Sequence, residues 1–315
     1  MICEKLESRN ANIYASFKVS VHEEHVESVL SPDQWPQNEC IKRFFSLKEP
    51  KTSNLNSVQT KVNKKCGLNI FYWNLQSLLN KIDIISVLLN QYDVDILCVV
   101  EHWLGADELC LIKFSGYVLV DYFCRPKNGM HGGSAIYAKN TLKAVKVECS
   151  EFSALFTFEI CLIYLQSFNI VCVCIYRNCK SSYEIFLNML YEFLNFVFRN
   201  NVKKQFVLAA DFNVDFKVMN NEIFDLFNIF NCFGLRSTIF EPTRPGREGS
   251  AGTCIDNVIT NINNEDCDSI VIPTIVSDHD AILFKTNIAR NDTYTNSINN
   301  SNLKLTRNFS LFSIY

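Results

Sequence analysis

Phe206-Val207-Leu208-Ala209-Ala210-Asp211-Phe212-Asn213 runs five apolar residues straight into an acid and an amide. A short apolar run without polar alternation is the pattern of a strand buried on both faces, so the polar residue that follows lies at its carboxyl end. Two other stretches repeat the pattern: Phe71-Tyr72-Trp73 leads into Asn74, and Asp95-Ile96-Leu97-Cys98-Val99-Val100 leads into Glu101. Asp256 and the triplet Ser277-Asp278-His279 also lie close behind hydrophobic runs. Ligands of open sheets bind beyond the carboxyl ends of strands. Acids, amides and one histidine gathered at such an edge are the parts of a metal-assisted phosphoryl-transfer site.

Between these runs the hydrophobic period changes. Ile82, Ile85, Leu88 and Leu89 share one face of a helix predicted over Leu78 to Gln91. Ile185, Phe186, Met189, Leu190, Phe193, Leu194 and Val197 do the same over Tyr183 to Asn200, and a third helix is predicted over Glu222 to Phe233. Strands are expected near Tyr117 to Asp121, Gly133 to Ala138 and Val145 to Cys149. Phe152 to Tyr176 is the most hydrophobic region, but Glu159 and the polar centre Gln166-Ser167-Phe168-Asn169 make it a hairpin of two buried strands rather than a membrane span. Strand-rich halves interleaved with helices predict an α/β fold of two packed sheets with helices outside.

With 315 residues and 48% hydrophobic content the chain can bury a large core. A net charge of −3 means that any nucleic-acid contact must come from a local basic patch rather than from the field of the whole chain. Fourteen cysteines are scattered, many inside apolar strands as in Val171-Cys172-Val173-Cys174, and no Cys-x-x-Cys occurs. Reduced, buried thiols follow, which together with the lack of a secretory signal or membrane span point to the nucleus or cytoplasm.

Residues 1–66 lack sustained periodicity and are expected to be a poorly ordered extension; 67–287 hold the sheets and helices; 288–315 are an Asn- and Ser-rich tail. His22-Glu23-Glu24-His25 does not have the His-Glu-x-x-His spacing of a zinc protease and reads as a solvated helical face.

Phosphodiester hydrolysis needs a cation for the developing charge, an orienting group or base for water, and donors to the phosphate. Glu101 at a strand end is a candidate metal ligand, since a buried carboxylate is costly without a cation or donor. His279 is a candidate base or phosphate donor, and a neighbouring carboxylate such as Asp256 would raise its pKa and fix its tautomer. Thr243-Arg244-Pro245-Gly246-Arg247 is either a phosphate-gripping loop or an ordinary solvated one.

The ordered set Trp73-Asn74-Leu75-Gln76-Ser77-Leu78, Val100-Glu101-His102-Trp103-Leu104, Ile175-Tyr176-Arg177, Ala210-Asp211-Phe212-Asn213-Val214-Asp215, Thr253-Cys254-Ile255-Asp256 and Ser277-Asp278-His279-Asp280-Ala281-Ile282 resembles the endonuclease/exonuclease/phosphatase superfamily. Within it, the set is most similar to the apurinic-like endonuclease domain of non-LTR (LINE-type) retrotransposons. The resemblance covers Leu68 to Thr286. It implies a four-layer α/β/β/α sandwich and an Mg2+-dependent (or Mn2+-dependent) endonuclease that nicks DNA and leaves a 3′-hydroxyl. Asn74 and Glu101 would hold the metal and Tyr176 would touch the scissile phosphate. Asp211 and Asn213 would position the nucleophile or serve the leaving group. Asp278-His279 would supply the base or phosphate-stabilising histidine, oriented by Asp256. Arg177, Arg244 and Arg247 are the candidate DNA contacts.

The branch commonly has prolines after Tyr-Arg, where this chain has Asn178-Cys179. DNA is the expected partner, with no membrane and no small-molecule cofactor. A reverse transcriptase is expected to be absent from this chain, which reads as a truncated retrotransposon protein with Arg307-Asn308-Phe309-Ser310 opening the connector. Two other readings stay open: a phosphatase or exonuclease of the same superfamily, and an inactive relic or binding module.

Overall fold

The apolar runs ending at Asn74 and Glu101 become β3 (Leu68–Asn74) and β4 (Ile96–Val100), parallel neighbours joined by the helix α1 (Ile82–Gln91). The computed structural model describes residues 2–6, 16–20, 67–126, 131–200, 204–246 and 251–290. The chain divides into two compact units, Met1–Lys61 and Val62–Tyr315. In the first, β1 (Ile2–Leu6) pairs antiparallel with β2 (Ser16–Ser20). His22 to His25, Arg307 to Ser310, and the expectations of an extension and a tail fall largely or wholly outside the described residues.

In the second unit β3 and β4 lie inside a six-stranded mixed sheet completed by β5 (Tyr117–Phe123), β6 (Ser134–Lys139), β13 (Cys267–Ile272) and β14 (Ala281–Thr286), in the order β13-β14-β3-β4-β6-β5. The other sheet repeats the central device. Here β9 (Ile170–Arg177) runs parallel to β10 (Gln205–Asp211) across the helix α3 (Tyr183–Asn200), within the order β11-β12-β10-β9-β8-β7. Its remaining strands are β7 (Val145–Lys146), β8 (Phe158–Leu165), β11 (Arg236–Ser237) and β12 (Asp256–Thr260). Two short-to-medium helices complete the unit, α2 (Ala106–Leu111) and α4 (Asn221–Cys232).

Alternation along the strands builds the layers. Ile70 and Tyr72 of β3, with Ile96, Cys98 and Val100 of β4, face the second sheet, whose Cys161, Cys172 and Cys174 point back at the first, and all belong to one core. Phe71, Trp73, Leu97 and Val99 point the other way, onto Ile85 and Leu89 of α1 and Leu109 of α2. Both faces are apolar because both are covered, which is why these runs show no polar alternation. The opposite flank is closed by Phe186, Leu190 and Phe193 of α3 and Ile223, Leu226 and Phe230 of α4. Helix, sheet, sheet and helix follow in order, the expected four-layer sandwich.

Local departures have local causes. The helix expected from Leu78 begins as a 3-10 turn, Leu79–Lys81, and becomes α-helical only at Ile82, because Lys81 has a non-helical backbone (φ −123°) and its ammonium reaches back to the carbonyls of Gln76 and Ser77, each at 3.1 Å. The strand expected over Val145 to Cys149 is formed only at Val145–Lys146, an exposed edge, and the chain turns into a 3-10 segment at Ser150–Phe152. The cysteines from Cys98 to Cys267 are free thiols; most are buried, while Cys110, Cys179 and Cys232 are exposed. Among those residues no helix is long and apolar enough to cross a membrane.

Candidate active site

Register explains how distant motifs meet. Asn74 pairs with Val100, so Glu101 is the next residue beyond β4 at the same edge. In the other sheet Asp211 stands opposite Tyr176 on one side and Asp256 on the other. Because β12 and β14 run antiparallel to their neighbours, the start of β12 at Asp256 and the residues before β14, Ser277 to His279, return to that same edge.

Asn74 is fully buried and ties the two sheets together. Its Nδ2 donates to Glu101 Oε1 and to Asp211 Oδ2, both at 2.9 Å. With both amide protons placed on carboxylates, Oδ1 must face the other way, and it is buried with no hydrogen-bond partner. An orphaned oxygen of this kind costs free energy unless something positive meets it. Glu101 sits in the left-handed region (φ 52°), as does Trp103 (φ 59°). Trp103 Nε1 donates to Glu101 Oε2 at 3.1 Å, and the Tyr176 hydroxyl also hydrogen-bonds Glu101. Burial, and then the charges of Glu101 and Asp211, push the Tyr176 phenol well up, so it stays a donor.

At the same edge, Asp256 and His279 form a closed pair, with Nδ1 of His279 2.7 Å from Asp256 Oδ2. Asp256 also accepts from Thr243 Oγ1 at 2.9 Å and from the Tyr72 hydroxyl at 3.0 Å. Burial alone would pull the imidazole down, but Asp256, then Asp211 and Asp278, outweigh it and push His279 up to about 9. Burial and the nearby Asp256 push Asp211 up to about 8, against the pull of His279. Ligand atoms of Asp211, Asp256 and His279 lie within 4.8 Å of one another. We read this cluster as a hydrogen-bonded acid-base group rather than a metal cage: Asp256 already accepts three donors, and the Nδ1 proton of His279 faces it. Asn74 Oδ1 and the Glu101 carboxylate, on opposite sides of the amide as it stands, are the other oxygen atoms here that could hold a hard cation.

The other expected residues divide. Asn213, left-handed at φ 50°, donates Nδ2 to the Arg177 carbonyl at 2.7 Å, while its own N–H reaches Asp211 Oδ1 at 2.9 Å. Asp278 lies beside His279 but 3.7 Å from its Nε2, and is held instead by Arg244 at 2.6 Å on the surface. Arg177, a candidate DNA contact, points into the protein in this structure. Its side chain is buried, donates to the carbonyls of Phe212 and Asn213, and stacks on Tyr183 and Phe186. Its role in this structure is to brace the Asp211–Asn213 turn. Arg247 lies outside the described residues.

Sequence reading passed over Tyr72 and Thr243 as partners of Asp256, because each is a strand or loop residue whose hydroxyl finds its acceptor only after the sheets pack. It also passed over Trp73, whose Nε1 donates to the His279 carbonyl at 2.9 Å, and Ser277, whose hydroxyl donates to the Asn74 carbonyl at the same distance. His102, next to Glu101, is a packing residue: Nδ1 accepts from Leu104 N, Nε2 faces the Phe123 carbonyl, and burial pushes it down to about 4.

Residues 71–279 match the Endonuclease/Exonuclease/phosphatase family. The chain belongs to this family. The endonuclease domain of TRAS1, a telomere-specific non-LTR retrotransposon, superposes with a TM-score of 0.55 at 16% identity, over 70% of this chain and 98% of that one. The 3'-5' exonuclease NExo from Neisseria meningitidis gives 0.55 at 16%, over 70% and 99%. A mannosyl-6-phosphatase from Bacteroides thetaiotaomicron gives 0.52 at 12%, over 69% and 98%. No curated protein matches the chain in sequence. At such identities the likeness shows the fold, and this fold carries nucleases and a phosphatase alike, so the substrate must be argued from the site.

Proposed function

We propose that this protein is a divalent-cation-dependent endonuclease that nicks DNA and leaves a 3′-hydroxyl, as the retrotransposon-like motif set implies. The observation that carries the cation is Asn74 Oδ1, buried without a donor while the other end of the same amide binds Glu101 and Asp211. Asn74 and Glu101 would hold Mg2+ or Mn2+, which when bound supplies positive charge to the phosphate oxygens as negative charge builds there.

The chain's own groups fill the remaining roles. Tyr176, kept protonated, and His279, kept charged by Asp256, present donors to the non-bridging oxygens of the scissile phosphate. Asp211, held by the Asn74 amide and the Asn213 N–H, orients a water molecule and takes its proton. The water oxygen bonds to phosphorus, the P–O3′ bond breaks, and the leaving 3′ oxygen takes up a proton from solvent to become a hydroxyl while Asp211 returns to solvent the one it took. At the mouth, part-exposed Trp103 offers an aromatic face and Arg244 a cation, features suited to a nucleic-acid strand.

The test is conversion of supercoiled plasmid to open circles with Mg2+, without Mg2+, and by Glu101→Gln, beside phosphate release from inositol phosphates. Cation-dependent nicking that needs Glu101 is the expected result. Phosphate release with intact plasmid would move the protein to the phosphatase side of the family.

A further inference from the structure

A buried ion pair outside the motif set stands behind Glu101. Arg125 Nε lies 2.5 Å from Glu159 Oε1, with side-chain exposures of 7% and 0%. Each partner also grips one turn: Arg125 Nη1 donates to the His131 carbonyl, and Glu159 Oε2 accepts from Gly133 N at 2.6 Å. That turn in turn holds the metal-ligand loop, because the Gly133 carbonyl accepts from Glu101 N at 2.8 Å and the Gly132 carbonyl from Trp103 N at 3.1 Å. Those two acceptors serve the two residues of the loop that sit in the left-handed region, Glu101 and Trp103.

Two further observations tie the pair to the site. Glu159 stands directly opposite Tyr176 in the β8–β9 ladder, and the Arg125 guanidinium lies 5.6 Å from the Tyr176 ring centroid. The turn is also fitted to its surroundings. A Cβ on Gly132 would meet Arg125 Nε at 2.2 Å, and one on Gly133 would meet His102 Nε2 at 2.2 Å.

We infer that Arg125 and Glu159 are positioning residues, a clamp that sets the Glu101 carboxylate and the Tyr176 hydroxyl for the cation and the phosphate. The inference rests on the assignment of Glu101 as a metal ligand. A pair kept only for stability has little claim to be ionic, since buried ion pairs are often replaced by apolar side chains at no loss of stability. Only a charged, forked side chain can hold Glu159 and the His131 carbonyl together.

The test is direct Mn2+ binding, read by electron paramagnetic resonance, with thermal unfolding measured on the same samples. The variants are wild type, Glu101→Gln, Arg125→Lys, and Arg125→Met combined with Glu159→Leu. The apolar double variant leaves the Gly133 N–H and the His131 carbonyl without their partners, so it is expected to melt at a lower temperature but to be folded where binding is read, and there to bind Mn2+ at least about tenfold more weakly, the scale seen when outer partners of metal ligands are lost. Arg125→Lys, which restores one ion pair but not the fork, is expected to fall between the two. Wild-type Mn2+ affinity in the folded double variant overturns the clamp, and if that variant does not fold, wild-type affinity in Arg125→Lys does so. No Mn2+ bound by wild type, or Glu101→Gln binding as wild type does, removes the metal assignment itself and the inference with it.

Discussion

His279 Nδ1 lies 2.7 Å from Asp256 Oδ2, with neither side chain open to solvent. The contact fixes the ring so that Nε2 is the nitrogen left for a substrate. His279→Ala is expected to lower the cleavage rate by about 10²- to 10³-fold, the range of a lost donor to the charge that builds in the transition state. Asp256→Asn should cost less, about 10- to 100-fold, because it disturbs orientation and leaves the imidazole in place. Single-turnover nicking of supercoiled plasmid measures both. An Asp256→Asn protein as fast as wild type would detach the pair from the chemistry.

Tyr72 reaches Asp256 from the other sheet, 3.0 Å from Oδ1. Tyr72→Phe keeps the ring, which is fully buried, and removes one hydrogen bond to a carboxylate. A loss of about 1.5–3 kcal/mol in unfolding free energy is expected, with a smaller rate loss than Asp256→Asn. Urea unfolding at fixed pH measures the first quantity.

The sandwich and its edge were legible because uninterrupted apolar runs report burial on both faces, and a polar residue behind each run marks where the strand stops. Asn74, Glu101, Asp211, Asp256 and His279 stand out in this way, and the structure brings them to one edge. The direction of Arg177 was not, because an arginine after a strand reads the same whether it meets phosphate or the carbonyls of Phe212 and Asn213. Nor was the Arg125–Glu159 pair, whose partners are 34 residues apart and meet only once the strands are in register. The left-handed backbone at Glu101 and Trp103 carries no glycine to announce it.

Glu101 accepts from Asn74, Trp103 and Tyr176, so its neutral amide isostere exchanges acceptor capacity for a donor inside a crowded set. Glu101→Gln is expected to remove cation-dependent cleavage while the fold persists, since Glu101 is only half-buried and lies beyond the end of β4. Circular dichroism checks the fold and a Mg2+ titration of cleavage checks the loss. Wild-type rates at low Mg2+ would contradict the assignment.

The raised pKa of His279 also has a consequence for stability. Because the folded protein holds this proton up to about 9 while an unfolded histidine releases it near 6.5, the native state binds more protons in that window. Stability from the charged imidazole is therefore complete below about 6.5 and is lost as pH rises through about 9. The steepest fall is about 1.4 kcal/mol per pH unit. Urea midpoints measured across the window are expected to fall in wild type and to fall less in His279→Gln. Equal slopes in the two proteins would show that the proton is held elsewhere.

Arg244 donates from Nε and Nη2 to one oxygen of Asp278, at 3.0 and 2.6 Å, and both side chains are nearly half exposed. An exposed pair of this kind contributes about 0–1 kcal/mol, so its loss should barely move stability, and its interest lies in DNA binding. If Arg244 grips a phosphate, Arg244→Ala should weaken DNA binding and reduce the slope of log affinity against log salt by about 0.9. Asp278→Asn is expected to move binding the other way, because it removes the anion that Arg244 must leave to take a phosphate. Fluorescence anisotropy of labelled duplex across a salt series reads both variants. An unchanged slope in Arg244→Ala would return the Thr243–Arg244 loop to an ordinary solvated surface whose remaining task is the Thr243 hydroxyl on Asp256.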